Sequence, residues 1–574
     1  MVKAPPASKR RSTAEKLLAR LLAVLVFLIL PLEFFYDLNK EPFLYAIVFW
    51  LDIFLLVAYF SFVSFWLIKK REELLGFIRH HKADVAYLII IVFFLFAPRL
   101  AAGLVIVRFF IAFFVRGLES RLGAKFLSTL NFRPSQTLAL GFLGLIGAGT
   151  ILLTFPAATT DGRGASFVNA LFSMTSASCV AGLSVYNIGT DFTRFGQAVI
   201  LFGIQIGGLG IMVLSAAFSV LVGGSIPSRR QVGLREVLDI STPEGLRTLI
   251  KSVTAATVIT ELMGAVILFV LWQNNIPKVS DRLWWAFFHS VSAFCNCGLS
   301  LFSNNLEPFV NQPLVCMLFM LLITIGGVGF FVISDLSNPD VWQVKRPGAI
   351  WNRLAIQTKV VLIATLILDA IGMLLFLFFE YDGVLYGLPV DSKIMASLFH
   401  SVNLRSAGFN VVSLTHISAP TVIFSVALMF VGASPGSTGG GIKTTTAAVS
   451  FMALRAMLRG REDVELFGRR MPSSIVSRSL SMVLVALLVV GVFLTLLVTT
   501  QNVRFENLVF ETVSAFGTVG LSMGTTSLLD NTGKLLLAAV MYVGRIGPLT
   551  LALAVGERRV APGFSLPKGR IAIG

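Results

Sequence analysis

The chain has 574 residues, 56% of them hydrophobic and only 13% charged, with 50 phenylalanines and a mean hydropathy of +0.83. This composition excludes a soluble globular protein and predicts an all-α polytopic membrane protein, with room for roughly a dozen spans of about 20 residues. The net charge of +17 is spread over loops that flank apolar runs rather than gathered on one face, so no nucleic acid is expected and anionic membrane lipid is the partner it suits.

Residues 1–20 carry Lys3, Lys9, Arg10, Arg11, Lys16 and Arg20. No small-residue cleavage site follows, so they read as a cytoplasmic tail rather than a signal peptide. Residues 21–133 are expected to form a bundle of four transmembrane helices, over 21–36, 43–68, 85–97 and 100–115. The fourth helix offers only Arg99 and Arg108, with Arg116 out of phase, whereas a voltage sensor moves several arginines spaced about every third residue. The bundle therefore reads as a scaffold, and a voltage-gated cation channel is the alternative reading of the chain.

After Pro134 one pattern occurs four times: FSMTSASCVAGLS (172–184), FHSVSAFCNCGLS (288–300), FHSVNLRSAGFN (399–410, one residue shorter) and FETVSAFGTVGLS (510–522). Aligned on Gly182, Gly298, Gly408 and Gly520, the copies are 116, 110 and 112 residues apart. One copy alone could be an ordinary helix end capped by glycine. Four at one period mark a repeated unit. A potassium filter needs such a glycine, because backbone carbonyls must point inward to replace the hydration shell of the ion.

Each copy lies between two apolar runs, which predicts four span/re-entrant-loop/span repeats around a central pore, with boundaries 134–247, 248–358, 359–474 and 475–556, and a cytoplasmic tail 557–574. The eight spans are expected at 138–155, 198–221, 249–272, 313–333, 360–379, 421–457, 475–499 and 535–555. Irregular backbone at membrane depth is tolerated only where protein or a water-filled cavity covers it, so the four loops should converge. Each short helix would then aim its carbonyl end, with its partial negative charge, toward a cation. The basic residues agree with this layout: 34 of the 47 Lys and Arg fall in segments placed inside and nine in outer connections. Arg108, Arg405, Lys443 and Arg545 remain at membrane depth.

The sixth of these spans runs into GASPGSTGGGIKTTT, 432–446. A proline costs a helix about 3 kcal/mol and each glycine up to about 1 kcal/mol, so the stretch is expected to be a loop at membrane depth below the third filter. It is read as a movable gate formed by Gly432, Ser434, Pro435, Gly436, Ser437, Thr438, Gly439, Gly440, Gly441 and Lys443, held partly by Arg545. His289 and His400 occupy the same place in two copies, and with no acidic residue beside them they read as packing and hydrogen-bonding groups rather than a proton relay. Cys179, Cys295, Cys297 and Cys316 suggest neither a disulfide framework nor a metal site.

The four glycine segments, the IGGLGI (206–211) and IGGVGF (325–330) runs, GASPGSTGGGIKTTT and MYVGRIGPLTL (541–551) together resemble the Trk/Ktr/HKT superfamily of potassium transporters, over about residues 132–556. The resemblance implies a membrane subunit for potassium uptake across the plasma membrane, with both termini cytoplasmic. Its ion-coordinating positions fall on Val180, Ala181 and Gly182; Asn296, Cys297 and Gly298; Ser406, Ala407 and Gly408; and Thr518, Val519 and Gly520, mainly through backbone carbonyls. Ala181 departs from the threonine that many relatives carry, and in plant relatives a serine in place of Gly182 accompanies sodium transport. The family pattern further implies a homodimer and a separate cytosolic ring of nucleotide-binding regulatory subunits, for which this chain has no Rossmann-type segment. No cofactor is expected in the chain, and potassium is the substrate.

Overall fold

The computed structural model describes Trp50, Leu51, Ile53, Phe54, Val57 and residues 134–221, 243–343, 348–461 and 463–547. The expected N-terminal tail, the bundle 21–133 apart from those five helical positions, and the C-terminal tail lie outside the described residues. Thr154–Ala165 groups with the N-terminal residues, and Phe132–Leu153 with Ser166–Gly574. Within the first group, Thr159 Oγ1 donates to Asp161 Oδ1 (2.6 Å) and accepts from the Gly164 amide (2.9 Å). The Thr159 hydroxyl, before the Arg163 amide, holds the Asp161 carboxyl below its ordinary range.

The second group is helical, and its elements run α1 (Pro134–Leu153), α2 (Phe167–Ser178), α3 (Arg194–Leu221), α4 (Pro243–Leu271), α5 (Val279–Phe294), α6 (Pro313–Val328), α7 (Phe330–Leu336), α8 (Ile356–Glu380), α9 (Val390–Asn403), α10 (Ala419–Phe430), α11 (Thr444–Leu458), α12 (Ser473–Thr500), α13 (Phe505–Phe516) and α14 (Asn531–Ile546). A two-stranded hairpin, β1 (Glu465–Leu466) and β2 (Arg469–Arg470), joins α11 to α12. Prolines open α4 and α6, where a missing amide costs nothing. Asp530 caps α14 by accepting from the Gly533 amide at 2.7 Å, which with Gln501 keeps its carboxyl below the usual range.

Among the described residues three helices are long and apolar enough to cross a membrane, Val253–Leu271 within α4, α8 and α12, and the α6–α7 pair makes a fourth. The other expected spans that fall on described residues are shorter or broken. Residues 313–333, expected as one span, bend by 97° at Gly329 (φ +90°). Residues 198–221 break at Gly210 (φ +73°), and α14 ends at Ile546 with Gly547 at φ +87°, the remainder of the expected span 535–555 lying outside the described residues. Positive φ is cheap only for glycine, so the breaks at Gly210 and Gly329 fall where the third glycine of IGGLGI and IGGVGF permits them.

α2, α5, α9 and α13 are the four motif copies, short as expected. Each begins its motif with a buried phenylalanine, Phe172, Phe288, Phe399 or Phe510, none more than 1% exposed. One apolar cluster unites the first and fourth copies through Phe172, Leu183, Phe510, Phe516 and Met541, and another unites the second and third through Trp272, Phe319, Phe376, Phe399 and Phe409. Each short helix also packs on the helix that follows the preceding copy: α5 on α3, α9 on α6, α13 on α10, and α2 on α14. The order closes on itself.

Candidate ion-conducting site

Three of the short helices end in the same way. Val180 N–H bonds to Ala177 O (3.1 Å) and Ala181 N–H to Ser176 O (2.8 Å); Asn296 and Cys297 repeat this on Ala293 and Ser292, and Thr518 and Val519 on Ala515 and Ser514. This is the Schellman arrangement, which requires a left-handed residue just past the helix. Val180, Asn296 and Thr518 supply it with φ of +55°, +58° and +48°. The glycine is therefore not the helix cap: the residue that ends the helix stands two positions before it. A left-handed β-branched residue costs about 1–2 kcal/mol, and such outliers cluster where backbone direction matters. In the shorter third copy α9 stops at Asn403, yet Ser406 keeps the left-handed turn (φ +68°).

Two residues later each glycine is left-handed again, with φ between +77° and +91°. A Cβ on Gly182 would collide with Cys297 O; one on Gly298 would lie 2.5 Å from Ala407 O, one on Gly408 2.6 Å from Val519 O, and one on Gly520 2.6 Å from Ala181 O. Each glycine thus faces the carbonyl that precedes the next glycine, in the order first, second, third, fourth, first. All twelve residues expected to coordinate the ion are brought together in this ring; eleven are buried and Gly520 is half-buried.

Side chains around the ring are occupied with the protein itself. Ser406 Oγ donates to Thr518 O (2.7 Å) and lies 3.0 Å from Thr518 Oγ1. In the orientation that satisfies both ends of its carboxamide, Asn296 donates to Ile323 O and Ala293 O, both at 3.1 Å. Ser514 Oγ donates to Leu521 O (2.7 Å) and Ser292 Oγ to Leu299 O (2.8 Å), while Asn403 Oδ1 accepts from the Phe409 amide (2.9 Å) in the third copy. These tethers were not foreseen, although the shared serine of the SA pair was their visible signal.

The segment 431–443 is non-helical and lies directly against the ring; the expected loop 432–446 is thus three residues too long, since Thr444, Thr445 and Thr446 already form the first turn of α11. Gly440 N–H reaches Thr518 Oγ1 (2.9 Å) and Ser406 Oγ (3.1 Å), and Thr438 Oγ1 donates to Phe294 O (3.2 Å). The loop closes on itself through Gly432 N–H to Ile442 O (2.9 Å) and the Thr444–Ser434 hydroxyl pair (3.0 Å). It is also stitched to the α6–α7 bend, where Ser434 N–H meets Gly327 O and Phe330 N–H meets Gly436 O. Both basic residues grip it: Lys443 Nζ donates to Gly439 O (2.8 Å), and the Arg545 guanidinium donates to Thr438 O and, at the α3 break, to Gly207 O. Arg545 therefore joins the fourth copy's last helix to the first copy's and to the loop.

Arg405, whose partner was not foreseen, forms a two-point ion pair with Asp369 of α8 (2.9 and 3.0 Å) and bonds Thr365. His289 and His400 have no carboxylate among the described residues. His289 Nε2 accepts from the Leu301 amide (3.2 Å), and His400 stacks on Phe376 at 4.0 Å.

A membrane protein with multiple apolar helices, whose four short helices bring their glycine-bearing ends together, falls in the class of cation transporters. The chain belongs to the TrkH cation transport protein family, whose model matches residues 105–558. It is 38% identical to Ktr system potassium uptake protein B of Vibrio alginolyticus over 73% of this chain and 90% of that protein, and 37% identical to the Bacillus subtilis protein of the same name over 75% and 95%. It is also 33% identical to a potassium/sodium uptake protein of Enterococcus hirae, over 77% of this chain and 97% of that one. Among solved structures, the potassium transporter TrkH from Vibrio parahaemolyticus shares the fold, with a TM-score of 0.61 at 18% identity over 82% of this chain and 97% of that one. The chain is thus a transporter and not an enzyme.

Proposed function

We propose that this protein takes up potassium across the plasma membrane, down its electrochemical gradient, through a single pore made by the four motif copies. The observation that carries the reading is the closed ring in which a left-handed residue and a left-handed glycine alternate in every copy. Such alternation turns successive carbonyls to one side, which is what an ion stripped of water requires. The names of the Ktr relatives support potassium as the ion, while the Enterococcus hirae relative is named for potassium and sodium alike. The loop 432–446 acts as the gate, since its contacts to the ring are single hydrogen bonds that can be exchanged cheaply, each worth about 1 kcal/mol. The membrane subunit works as a homodimer with a separate regulatory ring on its cytoplasmic side, and the relatives' designation as protein B of a system supports a partner chain.

Purified protein in liposomes, with potassium and sodium gradients compared, tests the reading. Potassium flux well above sodium flux is expected. Equal flux of the two ions would remove the potassium assignment, and flux of neither would remove the pore.

A further inference from the structure

Behind the ring, the residue after each motif phenylalanine occupies one equivalent place: Ser173, His289, His400 and Glu511. Glu511 is fully buried, and its two carboxyl oxygens accept from Ser522 Oγ and from Thr526 Oγ1 (2.8 Å). His289 does the matching thing in the second copy. Its Nδ1 lies 2.8 Å from Trp285 O and its Nε2 3.0 Å from Ser300 Oγ. Because Nε2 also accepts from the Leu301 amide, the ring proton sits on Nδ1 and the imidazole is fixed in orientation. Ser522 and Ser300 are the same residue of the motif, two positions beyond Gly520 and Gly298.

The other two copies lack this connection. His400 turns away, to Ser425 Oγ at 3.4 Å and the face of Phe376, and Ser173 Oγ has no hydrogen-bond partner among the described residues. Copies two and four stand opposite each other in the cyclic order, so the bracing runs across one diagonal only.

We propose that Glu511 and His289 are positioning residues for ion selection, each holding the outer limb of its filter from behind through the serine two residues past the glycine. This rests on the filter reading given above. The inner tether from Ser514 Oγ to Leu521 O and the outer one from Glu511 to Ser522 fix both sides of the Gly520–Ser522 limb, and so fix where the Gly520 carbonyl points. Two hydroxyl groups converge on this one buried carboxyl, so the limb is held at Ser522 and at Thr526 together.

The test is the potassium-to-sodium flux ratio in liposomes, which a merely structural loss of folded protein would not move. Glu511→Ala and Ser522→Ala should each lower the ratio about fivefold, as expected for one hydrogen bond lost at a selecting site. Glu511→Gln, whose carboxamide oxygen can still accept from Ser522, should retain most of it, and Ser173→Ala should leave it unchanged. His289→Ala should fall with Glu511→Ala. If Glu511→Ala does not fold, Ser522→Ala carries the decision. An unchanged ratio in the alanine variants, or an equal fall in Ser173→Ala, would overturn the proposal while leaving the filter reading intact. A wild-type protein that does not discriminate would instead bring down that reading, and the brace with it.

Discussion

At Gly182 the space for a side chain is closed twice over. The backbone is left-handed, and a Cβ would strike the Cys297 carbonyl and approach Gly520 Cα at 2.9 Å. Gly182→Ser must therefore displace a neighbouring carbonyl of the ring, at a cost of about 1–2 kcal/mol from the dihedral alone. The expected outcome is a potassium-to-sodium flux ratio lowered about tenfold, measured in liposomes; a serine variant that discriminates like wild type would show that the carbonyl ring does not select. A different residue-level expectation concerns stability. Arg405 and Asp369 pair with little exposure, 9% and 16% for their side chains. Asp369→Asn leaves the guanidinium without its charge partner and should destabilise the protein by roughly 3 kcal/mol, whereas replacing both residues by apolar ones of similar size should recover most of the loss. Thermal unfolding in detergent measures both, and equal melting of the single and double variants would count against a buried pair.

Among the elements, the short helices could be read from the chain because four imperfect copies at one period expose what a single copy hides. The interruption was equally legible over 432–443, since proline and clustered glycine work against a helix whatever surrounds them, but not its end, because the three threonines 444–446 open α11. The bends at Gly210, Gly329 and Gly547 were not. Hydropathy stays high through IGGVGF, and a single glycine in an apolar run is usually tolerated; only the close crossing of Gly207, Gly326 and Gly544 over the carbonyls that end α2, α5 and α13 shows why those helices turn there. Asp369 was missed for a related reason, because its partner Arg405 lies far along the chain in the one copy that is a residue short. The loop's own expectation follows from its contacts. Removing Ser434–Gly440 deletes the Gly440 bonds to Thr518 and Ser406 and the Thr438 bonds to Arg545 and Phe294. Potassium flux should rise severalfold, and Arg545→Ala should raise it in the same direction. A well-folded deletion variant with unaltered flux, together with a silent Arg545→Ala, would leave the loop a fixed plug.

For the molecule as a whole, the packing order α5 on α3, α9 on α6, α13 on α10 and α2 on α14 closes within residues 134–547, without the N-terminal bundle. A chain beginning near Leu130 should therefore still fold and conduct potassium in liposomes. Loss of the folded protein on truncation would assign the bundle a scaffolding role, and loss of voltage dependence alone would restore the sensor alternative. The closure within one chain has a further consequence. Where four identical subunits build a ring, a mutation enters four times, and its energetic effect is multiplied before selection can act on it. Here the four quadrants carry different residues at matching places, Val180, Asn296, Ser406 and Thr518 at one level and Ser173, His289, His400 and Glu511 at another. A substitution counts once, so ion preference can be adjusted in quarter steps, and the two diagonals are free to diverge.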